Sequence, residues 1–211
     1  MQDRYDIRSA SLCPFAKVCQ LGVSEVLEEG TPLARAVEIC LSGLRQIASQ
    51  ESNLDGFVLH LRTGPSYSFD RLVRVANTIL KNASDWKECA PEEWSSIVNS
   101  PRWTFSTCNE KWYPLVFSSL YDTENSRYSG HAEISFFLFL REASFDRIAQ
   151  KYGGIIPDRI RDYIRAGFQF AGKEYDVGIS LSPYECRKVV KPPVLGGQIV
   201  EWWNAGWINS T

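Results

Sequence analysis

The chain has 211 residues, 44% of them hydrophobic, and its 23 Lys and Arg against 25 Asp and Glu leave a formal charge of −2. That much apolar material is ample for a continuous core, which excludes a disordered chain. The balanced charge excludes a broad cationic field for nucleic acid or for an anionic membrane surface.

From the N-terminus, Met1 to Arg8 carries charges of both signs and leads into no apolar run of signal-peptide length, so a cytoplasmic location is expected. Thr31 to Gln50 places Leu33, Val37, Cys40, Leu41, Leu44 and Ile47 at helical spacing, with Thr31 as the expected N-cap and Pro32 at the first helical position. Gly56 to Arg62 reads as a strand with Phe57, Leu59 and Leu61 on one face and Val58, His60 and Arg62 on the other. Gly64-Pro65 ends it. A second helix is predicted from Ser68 to Lys81, burying Leu72, Val75, Ala76 and Ile79 and leaving Arg71 and Arg74 for solvent or a ligand. A short one is predicted from Pro91 to Val98.

Three strand-like stretches follow, Arg102 to Cys108, Trp112 to Ser118 and Glu133 to Leu140, with Asn109-Glu110 read as the turn between the first two. Ile134 to Leu140 is apolar on both faces, which predicts a central strand. It is far shorter than the about 20 residues a spanning helix needs, so no membrane span is expected. Helices are predicted from Ser144 and from Pro157, the latter turning Ile160, Ile164 and Phe168 inward, and a late strand over Tyr175 to Leu181. The aromatic end, residues 199–211 with Trp202, Trp203 and Trp207, is expected to pack back on the domain. Together these elements predict one α+β domain over residues 1–211, a mostly antiparallel sheet with helices packed on it.

Chemistry is constrained by what is scarce. Six cysteines, at 13, 19, 40, 89, 108 and 186, form no CxxC pair, so reduced thiols are expected, with Cys40 a small core hydrophobe. Two histidines, 60 and 131, and one methionine argue against a structural zinc site. No GxSxG, GxGxxG or GxxxxGK[ST] occurs, which removes the serine-hydrolase elbow and Gly-rich phosphate loops. A Cys13 nucleophile with a histidine base remains open as a transferase or hydrolase. Iron in a heme asks for one axial His, Cys or Tyr, an apolar aromatic pocket and cations for the propionates, and all these residue types are present. The loop Ser126-Arg127-Tyr128-Ser129-Gly130-His131, leading into the most apolar strand, is where a site would form.

Cys13-Pro14-Phe15, Pro101-Arg102-Trp103-Thr104-Phe105-Ser106, Ser126-Arg127-Tyr128, Phe139 to Phe145 and Ile160-Arg161 stand in an order and spacing that resemble the YqcI/YcgG family over residues 10 to 170. The resemblance implies a heme b-dependent oxygenase that hydroxylates a nitrogen of a guanidino or amino compound such as arginine, within natural-product biosynthesis. The partners so implied are that small molecule and an electron donor, with a homodimer left open. The chain departs from the family's pattern in having Pro14 after Cys13 and no histidine before Ser126-Arg127. His131 is therefore the axial ligand expected here, with Cys13 and Tyr121 as further candidates. Arg62, with Arg71 as a second candidate for the propionates, and Trp103 join the cofactor-binding set and Arg127 the catalytic one; Glu133 joins the catalytic set too, with Asp122 and Glu124 near it in sequence, since a guanidinium needs carboxylate partners. A non-catalytic heme or small-molecule binding protein of the same fold is the alternative.

Overall fold

The computed structural model describes residues 18–49, 52–150, 153–154 and 157–206. A seven-residue strand, β1 (Leu21–Leu27), precedes the first amphipathic helix, α1 (Leu33–Ala48), which buries Ala36, Cys40, Gly43, Leu44 and Ile47. Pro32 rather than Thr31 occupies the N-cap, and its carbonyl takes the N–H groups of Arg35 and Ala36 at 2.9 and 3.2 Å. The helix thus opens one residue later than expected, because the fixed extended backbone of Pro32 supplies the entry turn.

β2 (Gly56–Arg62) has the predicted bounds. α2 (Phe69–Ala83) is capped by Ser68, whose hydroxyl accepts the Arg71 N–H at 3.2 Å, and the predicted Leu72, Val75, Ala76 and Ile79 are all buried. α3 (Pro91–Val98) also matches its expected span. β3 (Phe105–Thr107) and β4 (Glu110–Phe117) form the antiparallel hairpin, but its turn is Cys108-Asn109, not Asn109-Glu110. Both turn residues have positive φ, 57° and 59°, the backbone that a two-residue turn needs to match strand twist.

β5 (Ile134–Arg141) lies at the centre of the sheet, whose order is β1-β2-β5-β4-β3. Within this sheet only β1 and β2 run parallel; β2 with β5, β5 with β4 and β4 with β3 are antiparallel. The fold is therefore α+β with a mostly antiparallel sheet. β5 passes without a loop into α4 (Glu142–Gln150), and α5 (Asp158–Phe170) follows. α5 fully buries none of its residues; the expected inward Ile160, Ile164 and Phe168 are half-buried, with the Phe168 ring 5.1 Å from that of Tyr175.

The predicted late strand is instead a short helix, α6 (Val177–Leu181), capped by Asp176, whose carboxylate accepts the Ile179 N–H at 2.8 Å. That local bond turns an alternating segment into a helical turn. α7 (Cys186–Val189) comes next, and the chain returns over a single turn of 3-10 helix, Trp202–Asn204. Trp207 lies outside the described residues.

The main core sits between one sheet face and α1 and α2, with Phe57, Leu59, Phe137 and Phe139 pointing into it. Trp94, Trp112 and Trp202 are wholly buried there and each indole N–H has a partner: Asn77 Oδ1, the Thr107 carbonyl and the Cys186 carbonyl. Removing a side chain such as Leu59 or Leu72 to alanine costs about 2–5 kcal/mol in a setting of this kind. On the opposite face Val58, Ile134, Phe136 and Leu138 form a second, smaller cluster.

Candidate functional site

Strand directions gather the polar chemistry at one end of the sheet. The carboxyl ends of β1, β2 and β4 and the amino end of β5 meet there, since Leu27 pairs with Leu61, Arg62 with Ile134 and Phe117 with Phe136. The connection from Ser118 to Glu133 closes over this end. Ser118 fastens it twice: its N–H donates to the Arg127 carbonyl at 3.0 Å, and its carbonyl accepts from Ser129 at 3.1 Å. Asn125 fixes the far side, taking the Arg127 N–H on Oδ1 at 2.8 Å and donating through Nδ2 to the Pro193 carbonyl at 3.1 Å.

Arg127 is 7% exposed. Its Nη2 donates to the Lys188 carbonyl at 2.7 Å, its guanidinium lies 4.9 Å over the Phe117 ring, and Nη1 has no hydrogen-bond partner among the described residues. Burial pulls its pKa down to about 10. Tyr121, 2% exposed, donates its hydroxyl to the Lys191 carbonyl at 3.0 Å, sets its ring edge-on to Phe69, and has its phenol pKa raised by burial.

Lys191 is the residue that sequence reasoning missed. It is 6% exposed, with Nζ 4.8 Å from the Tyr175 ring centroid. Burial, with Arg127 beside it, lowers its pKa to about 7. A small cleft opens on it, lined also by Asn125, Ser126, Glu174, Asp176 and Pro192. The signal was available: a lone lysine inside Val189-Val190-Lys191-Pro192-Pro193 has no polar neighbour to draw it to the surface.

Apart from Arg127 and Tyr121, which lie together, the described site residues expected from the sequence divide among three places. His131 is half-buried, with its ring 5.9 Å from that of Phe136; the buried His60 stands 5.0 Å from the same ring. Partial burial lowers the His131 pKa, favouring the neutral imidazole. Arg62 and Glu133 do come together, but as partners: Arg62 donates through Nε to Glu28 at 2.8 Å and through Nη1 to Glu133 at 3.2 Å. Trp103 belongs to the main core, 5.9 Å from Trp202, and its Nε1 has no partner among the described residues. Cys13 lies outside the described residues.

No family model matches the chain, and no curated protein or solved structure is detectably similar to it. Among the described residues, no helix is long and apolar enough to cross a membrane.

Proposed function

We propose that the chain is a heme-dependent oxygenase that hydroxylates a nitrogen of a guanidino or amino compound, with His131 as the residue that would hold the iron. The observation that supports this reading is the half-buried imidazole of His131 resting against the apolar ring of Phe136 at the loop end of the sheet, where burial lowers its pKa. An imidazole whose neutral form is favoured by burial is the donor type that a heme iron takes, and Phe136 would give the group an apolar surface beside it. Heme b, when bound, would supply oxygen activation and the entry of one oxygen atom into an N–H bond, with electrons from a reductant or partner.

The chain's own part is positioning. Glu133 would receive a guanidinium or amine only by giving up Arg62, and Arg62 would meet a propionate only by giving up Glu28 and Glu133. Those exposed pairs are worth about 0–1 kcal/mol each, so exchange of partners is inexpensive. Tyr121 holds Lys191 by its carbonyl and thereby sets the wall behind Arg127. Because Arg62, Glu133 and Tyr121 all serve as structural partners, a non-catalytic heme or small-molecule binding protein is the second reading.

The test is the ultraviolet–visible spectrum of protein produced with added heme precursor, before and after dithionite and carbon monoxide. A stoichiometric Soret band that shifts on reduction and is altered by His131→Ala supports the reading. An unaltered band in H131A moves the ligand to Tyr121 or Cys13. A band without turnover of guanidino or amino compounds favours the binding protein. No band after reconstitution overturns both heme readings and turns attention to the Cys13 thiol.

A further inference from the structure

Lys191 combines features that no structural duty explains. A lysine buried to this degree ordinarily offsets its desolvation with a carboxylate in contact. Among the described residues, Lys191 makes no ion pair and its Nζ no hydrogen bond; it faces the Tyr175 ring. The charged groups around it come from every neighbouring element. Arg127 in the loop after β4 and Lys188 on α7 repel an ammonium, while Asp176 at the start of α6 attracts one. Asp176 is committed to capping the Ile179 N–H, and Lys188 is paired with Glu185 at 2.6 Å. Arg127 is thus the uncompensated cation that acts on Lys191, with no carboxylate of its own among the described residues.

Yet Lys191 is not sealed in. It forms part of the wall of the cleft whose rim carries the exposed Val194 and Leu195. An amine held away from water, beside a fixed cation, and reachable through a narrow opening is the arrangement that makes a lysine nucleophilic.

We propose that Lys191 is a nucleophilic amine that takes a small carbonyl compound entering the cleft between Asn125 and Asp176 as an imine. The Nζ lone pair forms the nitrogen–carbon bond while the carbonyl π pair moves to oxygen, which collects a proton. The resulting carbinolamine loses its hydroxyl as water while nitrogen gives up its second proton, leaving a carbon–nitrogen double bond. One amine and one carbonyl become one imine and one water, with no oxidant or reductant. The neutral amine that this requires accords with the pKa of about 7. Glu174, also in the cleft wall, is the carboxylate left to pass protons during dehydration. The inference is independent of the heme reading and uses no residue assigned to the iron.

Competitive reductive ethylation tests it in the unaltered protein. The chain is treated with limiting acetaldehyde and cyanoborohydride at pH values from 6 to 10, and labelled peptides are quantified by mass spectrometry. At pH 7, Lys191 should label at least about tenfold faster than the exposed Lys111, because an ordinary lysine is almost wholly protonated there. Its rate should level off near pH 8 while that of Lys111 continues to climb. In Arg127→Gln, the Lys191 profile should shift to higher pH. Labelling of Lys191 no faster than Lys111 at pH 7, or a profile that parallels Lys111, overturns the proposal; both readings come from the unaltered protein, whether or not R127Q folds.

Discussion

Asn77 and Trp94 are joined inside the core, the indole Nε1 donating to Asn77 Oδ1 at 2.9 Å while Asn77 Nδ2 donates onward to the Ala205 carbonyl at 2.6 Å. One amide thereby ties α2, α3 and the aromatic end of the described chain together. Asn77→Leu keeps the volume and leaves both the indole N–H and the carbonyl without partners. The expected loss is about 2–4 kcal/mol, read from urea unfolding, with Trp fluorescence following the same transition.

Gly43 is required by contact rather than by backbone. A Cβ there would come within 2.3 Å of the Phe57 ring, so α1 lies flush on β2 only because residue 43 has no side chain. Alanine gains about 1 kcal/mol of helix propensity but forces a clash costing about 1–3 kcal/mol, so Gly43→Ala should lower the melting temperature. Phe57→Leu should be less damaging in the G43A background than alone. Additive effects in that double-mutant cycle would show that the two do not touch.

What the amino-acid pattern reveals, and what it hides, follows from which forces shape each segment. α1 and α2 are legible because a 3.6-residue apolar period and burial on one face are the same fact. β5 is legible because both of its faces are covered. β1 is not, because its alternation breaks at Ser24-Glu25, where its register with β2 shifts between Val23 and Val26. Tyr175 to Leu181 misleads for the opposite reason. It alternates as a strand does, but the Asp176 carboxylate bonds its own chain three residues on, and of the α6 residues only Ile179 is buried. For the site, the loop from 126 to 131 could be located by its approach to the apolar strand. The pairing of Arg62 with Glu133 joins residues 71 apart in sequence, and the isolation of Lys191 depends on Arg127; periodicity carries neither.

The β3–β4 turn offers a gain instead of a loss. Cys108 and Asn109 both occupy left-handed backbone, which Asn tolerates better than Cys and Gly better than either. The double substitution Cys108→Asn with Asn109→Gly puts the preferred Asn-Gly pair into this turn and should stabilise the protein by about 0.5–1.5 kcal/mol in chemical denaturation. An unchanged midpoint would mean that the turn carries no strain.

Lys191 should leave a mark on stability as well as on reactivity. Its folded pKa of about 7 lies below the ordinary 10.5, so between those values the unfolded chain holds the proton that the folded chain has released. Unfolding free energy should therefore rise with pH over that interval, by up to about 1.4 kcal/mol per unit, and the gain should be lost as pH falls through 7. The measurement belongs between pH 7 and 8, below the range in which the Cys40 and Cys186 thiols and the Tyr67, Tyr113 and Tyr121 phenols, their pKa values raised by burial, oppose it. Lys191→Met should flatten the slope. Equal slopes in the two proteins would place the ammonium in water.

Both histidines of the chain stand edge-on to one ring, that of Phe136. In a proton–nitrogen correlation spectrum the protein therefore has just two imidazole spin systems, both within the ring current of a single benzyl group. Any molecule that enters the loop end and tilts that ring will move the two signals together, whereas a ligand elsewhere will leave both in place, so the molecule carries its own reporter.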